Sequence, residues 1–86
     1  MKLKHMLKRV EVFLSAKKRE RRAERDAMHR ILKKLKRKEQ KLLAEAAAEG
    51  DRKLRAALQS KCAVVHAQRK KGVEVLKATR GEEDKG

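Results

Sequence analysis

The sequence has 86 residues and a formal net charge of +15, and 45% of its residues are charged while 1% are aromatic. A chain this short forms at most one domain with a thin core, and this composition is typical of long helices and argues against a sheet protein. The basic excess predicts attraction to a polyanion such as nucleic acid, an acidic membrane surface or an acidic protein.

Apolar residues at helical spacing begin close to the N-terminus and resume after a charged gap at residues 15–26. The first set, on one sector of a helical wheel about 120° wide, is Leu3, Met6, Leu7, Val10, Phe13 and Leu14. The second set, in the same phase, is Met28, Ile31, Leu32, Leu35, Leu42, Leu43 and Ala46. Two independent helices would share a phase only by accident. The spacing therefore predicts one continuous first helix over residues 2–48, about 70 Å long.

A turn is predicted at Gly50-Asp51, where the glycine suits a helix C′ position and the aspartate suits the N-cap of a second helix. The second apolar stripe consists of Leu54, Leu58, Cys62, Val65, Val73 and Leu76. It predicts a helix over residues 52–80, and residues 81–86 are expected to form a flexible acidic tail. Because so short a turn makes the helices antiparallel neighbours, we expect an all-α, antiparallel two-helix hairpin over residues 1–80.

The predicted second helix covers residues 22–48 of the first, so residues 1–16 should project as an amphipathic arm. An apolar stripe of that length needs a partner. We expect a homodimer, assembled as a helical bundle through Leu3, Met6, Leu7, Val10, Phe13 and Leu14. The alternative is a protein partner that receives the arm in a groove. An interfacial membrane helix has the same design but is not favoured, because the stripe continues into the hairpin core.

Residues 17–38, called the basic collar here, contain twelve Lys or Arg against three acids. A rod with cations on every turn can follow a phosphate backbone; the alternative is a solvated face that keeps the chain soluble. The candidate nucleic-acid-binding residues are Lys17, Lys18, Arg19, Arg21, Arg22, Arg25, Arg30, Lys33, Lys34, Lys36, Arg37, Lys38, Arg69, Lys70 and Lys71. With no zinc-finger spacing or aromatic platform, binding to RNA or DNA should depend on phosphate contacts and shape.

The remaining chemistry is sparse. The single cysteine, Cys62, excludes an internal disulfide framework and is expected in the helical seam. It lies four residues before His66, a spacing that can hold a metal, but His29 and His5 should be too far away to complete a site. No catalytic constellation is visible and a two-helix hairpin should offer no cleft. We expect no cofactor, no metal and no enzyme, in a cytoplasmic, nucleoid-associated or ribosome-associated protein.

Three short pieces, SAKKR at Ser15, EGD at Glu49 and KKGV at Lys70, loosely resemble a basic, helical ribosomal protein of the bacterial small subunit. The asparagine- and arginine-rich C-terminal segment of that family is missing after Gly72, where this chain has VEVLKATRGEEDKG. We do not assign the family on this basis, and the resemblance adds slightly to the case for RNA. The expected function is non-catalytic nucleic-acid binding, with RNA slightly ahead of DNA. The alternative is a coiled-coil-like adaptor that binds a protein through its arm.

Overall fold

The computed structural model describes the backbone of residues 2–84 and the side chains of residues 2–79. Three helices form, α1 over Leu3–Ser15, α2 over Lys18–Ala48 and α3 over Arg52–Asp84, and there is no strand in the described part of the chain. The prediction of an all-α protein is confirmed. No helix in this range is long and apolar enough to cross a membrane.

The predicted continuous helix over residues 2–48 is wrong, because the chain reverses direction between α1 and α2. Ala16 and Lys17 have extended backbone, with ψ values of 156° and 158°. Across this corner, Arg21 Nη2 donates a 3.0 Å hydrogen bond to the carbonyl oxygen of Leu14, the last turn of α1. The longest dimension of the molecule is 52 Å, shorter than the rod that the unbroken stripe predicted.

After the reversal, α1 runs back along the first turns of α2 and also packs against α3. Arg9 Nη2 lies 3.1 Å from Glu24 Oε2, a pair that bridges α1 and α2. Met6, Val10 and Phe13 are buried. Burying one such side chain contributes about 1.5–3 kcal/mol, whereas each helical hydrogen bond lost at the corner costs about 1 kcal/mol. The corner is therefore favoured over a straight rod whose N-terminal stripe stays in water.

The six residues predicted to join two copies of the chain instead belong to the core of one copy. Three of them are buried, and the other three, Leu3, Leu7 and Leu14, are partly buried against the same core. The arm of residues 1–16 does not project, so its apolar stripe already has a partner in the chain. Self-association stays a prediction, but an exposed N-terminal apolar stripe no longer supports it, because that stripe packs within the chain.

The turn between the long helices lies where it was predicted. Asp51 Oδ1 accepts hydrogen bonds from the backbone amides of Lys53 at 2.9 Å and Leu54 at 3.1 Å, which is the expected N-cap arrangement. Gly50 does not have a positive φ, and a Cβ there would meet nothing within 4 Å. The turn therefore does not depend on left-handed backbone at this glycine.

α3 ends at Asp84, four residues beyond the predicted end near residue 80, so its backbone includes part of the predicted acidic tail. The side chains of residues 80–84 and all of residues 85–86 lie outside the described residues. The predicted flexibility of residues 81–86 therefore concerns residues that lie largely outside the described part of the chain.

All three helices come together at Gly72, in the middle of α3. A Cβ at this position would lie 2.7 Å from Leu32 Cδ2 of α2 and 3.5 Å from Val10 Cγ1 of α1. Leu35 of α2 and Val65 of α3 are fully buried in the core. The glycine that weakens α3 by about 1 kcal/mol in helix propensity is thus the position where three helices approach one another.

Candidate nucleic-acid interface

A cleft of about 490 Å³ lies between α2 and α3. It is lined by Arg25, Asp26, His29, Leu32, Lys33, Lys36, Arg69, Val73, Leu76 and Lys77. The expectation that the fold offers no cleft is wrong, because the packed helices leave an open furrow beside their seam. A volume of this size falls within the range of about 300–1,000 Å³ that is typical of ligand sites.

The helical repeat explains why cations gather along this furrow. On α2 the lining residues recur every three or four positions from Arg25 to Lys36, so they form one stripe next to the apolar seam. Leu32, Val73 and Leu76 form the floor, since each also packs in or against the core. Long basic side chains on the flanking positions extend over this floor with their charges in solvent. The result is an aliphatic floor between two basic walls.

The cleft carries five Lys or Arg side chains against one carboxylate, that of Asp26. Asp26 Oδ1 lies 3.9 Å from Arg25 Nε, and the aspartate side chain is 88% exposed. So exposed and long a pair contributes little stability and offsets little of the positive potential. Lys33, Lys36 and Lys77 make no ion pair with any residue whose side chain the structure describes. The cleft is therefore a concave surface with excess positive charge.

Arg69 is fixed at the cleft by a buried acid, Glu39 of α2. Arg69 Nε donates a 2.7 Å hydrogen bond to Glu39 Oε2, and His66 Nδ1 lies 2.5 Å from Glu39 Oε1. Burial by itself would raise the pKa of Glu39, but the hydrogen bonds and charges of Arg69 and His66 outweigh it and hold that pKa below its usual value. Glu39 is thus an ionised carboxylate that joins α2 to α3.

Glu39 is not among the functional residues predicted above, although its position in the sequence carries a signal. Glu39 is four residues after Leu35 and three before Leu42, so it interrupts the apolar stripe of α2 with an acid. An acid at such a position needs a partner, and the antiparallel register brings α3 cations near it. His29 and Lys77 were also absent from the candidate list, although their helical spacing places them beside the apolar floor.

The structure brings four of the fifteen candidate residues to the cleft: Arg25, Lys33, Lys36 and Arg69. Nine others are exposed elsewhere on the surface, namely Lys17, Lys18, Arg19, Arg22, Arg30, Lys34, Arg37, Lys70 and Lys71. Lys38 is half-buried. Arg21 is also half-buried and serves the corner between α1 and α2, where its Nε is buried without a hydrogen-bond partner. Three cations of the basic collar, Arg25, Lys33 and Lys36, thus line the cleft, and the other nine lie outside it.

Cys62 and His66 both face Glu39 and do not form a metal site with it. Cys62 is buried, and its Sγ donates a 3.7 Å hydrogen bond to the Glu39 carbonyl oxygen. Burial and, to a smaller extent, the charge of Glu39 raise the pKa of the Cys62 thiol. Among the described side chains, no group of three or more His, Cys, Asp or Glu could hold a metal ion.

Comparison with known proteins finds no relative of this chain. No family model matches the sequence, and neither a curated protein nor a solved structure matches it significantly.

Proposed function

We propose that this chain is a small, non-catalytic protein that binds nucleic acid, RNA or DNA, mainly through phosphate contacts. The observation that carries the proposal is the convergence of cations from two helices on one cleft. Arg25, Lys33 and Lys36 reach it from α2, and Arg69 and Lys77 reach it from α3. A basic surface of this kind attracts a polyanion and releases its counterions on binding.

Phosphate contacts are favoured over base readout because the cationic side chains of the cleft, although they can also contact guanine, are accompanied by few other groups that distinguish bases. Its lining includes no Asn or Gln, which pair with adenine, and no Phe, Tyr or Trp on which bases could stack. The one aromatic residue of the chain, Phe13, is buried in the core. Lysine-rich surfaces instead position a backbone without selecting a sequence. The proposed binding is accordingly strong at low salt and tolerant of sequence.

The test is a titration of labelled RNA and DNA followed by fluorescence anisotropy, at salt concentrations from about 50 to 300 mM. The cleft variant combines Lys33→Gln, Lys36→Gln and Lys77→Gln. The matched control removes three charges from exposed α2 positions that do not line the cleft, through Arg30→Gln, Lys34→Gln and Arg37→Gln. We expect the cleft variant to lose at least about tenfold in affinity and to reduce the salt slope by about 2–3, because each lost phosphate contact removes 0.7–0.9 of slope.

Two results would contradict the proposal. One is the absence of binding by the full chain even at the lowest salt. The other is an equal loss in the cleft variant and in its control, which would mean that net charge alone matters and the cleft has no part. Circular dichroism of each variant shows that the helices are intact before affinities are compared.

A second candidate function is a protein adaptor, and a surface at the end of the α2–α3 hairpin favours it. Leu54 and Leu43 there are 55% and 54% exposed. An open groove is lined by Glu45, Ala48, Glu49, Leu54, Ala57, Leu58 and Lys61. Exposed apolar groups of this size are candidates for protein contacts, including contacts with a second copy. The affinity for a protein bound through this apolar surface would change little with salt concentration, whereas the affinity for phosphates falls steeply as salt concentration rises.

A further inference from the structure

We propose that the cleft between α2 and α3 receives the backbone of a single nucleic-acid strand and discriminates against a duplex. This inference rests on the proposed function and names the form of nucleic acid that the site takes. It depends on three properties of the cleft: its concave shape, its aliphatic floor and its length.

The shape favours one strand because basic groups rise on both sides of the floor. Arg25, Lys33 and Lys36 form one wall, and Arg69 and Lys77 form the other. Packed helices lie about 8–10 Å apart, so a strand between the walls is within reach of both. A duplex major groove, about 12 Å wide, admits a single helix. On its cleft side, α2 is packed against α3, and this pair of helices is too broad to enter the major groove of a duplex.

The floor gives a second reason. Leu32 is buried, and Val73 and Leu76 are half-buried, so an apolar strip remains partly exposed between the charged walls. A duplex presents its phosphates outward, so the apolar strip would still contact water and charged groups after a duplex had bound. A single strand can turn a sugar or an unpaired base onto it, because unstacked bases have free apolar faces. Covering the apolar strip therefore adds binding free energy for a single strand, and a duplex does not gain this free energy.

The length of the cleft predicts the size of the site. Its lining residues on α2 extend from Arg25 to Lys36, about 16 Å along the helix axis. Stacked nucleotides rise about 3.4 Å each along one strand, so the cleft accommodates about five nucleotides. Arg69 is pre-positioned at one wall by its hydrogen bond to Glu39, so it loses little side-chain freedom when a phosphate binds.

The first experiment measures the affinity of the full chain for a labelled single strand of mixed sequence, for the same strand as a duplex, and for a length series from two to twelve nucleotides. We expect at least about tenfold tighter binding of the single strand at equal salt and a gain in affinity that levels off near five nucleotides. The expected salt slope for the single strand is about −3, from 0.7 for each of four to five phosphate contacts.

The second experiment adds an aromatic platform to the floor through Leu76→Tyr. Base stacking on an aromatic side chain is worth about tenfold or more in affinity, so this variant should bind the single strand tighter and the duplex unchanged. The matched control is Leu54→Tyr, at an exposed position outside the cleft, which should change neither. The expected result is a gain in affinity, and a loss of folding cannot produce such a gain.

The outcomes separate the two proposals. Binding of neither the single strand nor the duplex overturns the proposed function itself. Equal or tighter binding of the duplex, or no difference between Leu76→Tyr and its control, overturns the single-strand inference and leaves nucleic-acid binding standing.

Discussion

Glu39 of α2 and Arg69 of α3 form a hydrogen-bonded ion pair of 2.7 Å, with side chains only 11% and 22% exposed. The same arginine lines the cleft where we propose that nucleic acid binds. The contact that joins the two long helices therefore also positions a cation of the candidate site. Stability and binding are connected through this pair, and each can be tested separately.

Replacing Glu39 with glutamine should lower the free energy of unfolding by about 2 kcal/mol. The change keeps the shape of the side chain but removes the charge that partners the largely buried Arg69, and a hydrogen bond to a charged group contributes about 1.5–3 kcal/mol. Urea denaturation followed by circular dichroism measures the effect. Glu45→Gln, at an exposed position on the same helix, is the control and should be neutral; similar values for both variants would contradict the assigned role.

The stability supplied by Glu39 should disappear in acid. Its pKa is lower in the folded chain than its ordinary value of 4.5, since the Arg69 and His66 contacts outweigh burial. The unfolded chain then binds more protons than the folded chain as pH falls, so the contribution is full above about pH 4.5 and is lost below it. Unfolding curves of the wild type and Glu39→Gln at a series of pH values should converge as pH falls below 4.5. A constant difference down to the most acidic samples would contradict this assignment.

Gly72→Ala should be destabilising by about 1 kcal/mol in the wild-type chain. Alanine gains about 1 kcal/mol in helix propensity, but its Cβ would lie 2.7 Å from Leu32 Cδ2 in a closely packed core, and overpacking costs about 1–3 kcal/mol.

In a Leu32→Ala background the same Gly72→Ala change should instead stabilise the chain, because the clashing atom is gone. Thermal or urea unfolding of the four chains in this double-mutant cycle gives the coupling energy. Independent, additive effects would show that the close approach at Gly72 is not the controlling factor.

Arg21→Gln should lower stability by about 1 kcal/mol, because Arg21 Nη2 donates to the Leu14 carbonyl at the corner that replaces the predicted continuous helix. Arg22→Gln removes the same charge from the neighbouring exposed position and should have little effect. Equal unfolding midpoints for the two variants would mean that the corner does not need this contact.

Cys62 should react with a disulfide reagent at least about tenfold more slowly in the folded chain than in denaturant, since its thiol is buried and its pKa is raised. The release of the coloured thiolate product reports the rate. Glu39→Gln should accelerate the reaction because a less stable chain opens more often. A folded rate that matches the denatured rate would place the thiol at the surface.

Much of the architecture follows from local patterns in the chain. The apolar spacing and the absence of proline predict helices over nearly the whole length, and Asp51 marks the start of α3 correctly. Lys33 and Lys36 are three residues apart, so they lie on the same side of α2, and in the structure both line one cleft. Such features depend on residues within a few turns of each other, where geometry is set by the helix itself.

The sequence by itself thus determined an all-α chain with a predicted turn, a basic surface and an amphipathic N-terminal segment. Only the tertiary structure decided that this segment folds back as α1. An unbroken stripe is compatible with a straight rod or with a corner at Ala16, because nothing local near Ala16 forbids either. The choice depends on burying Met6, Val10 and Phe13 against distant residues. The pairing of Glu39 with Arg69, and the cleft beside it, likewise exist only because two faces thirty residues apart are brought into contact.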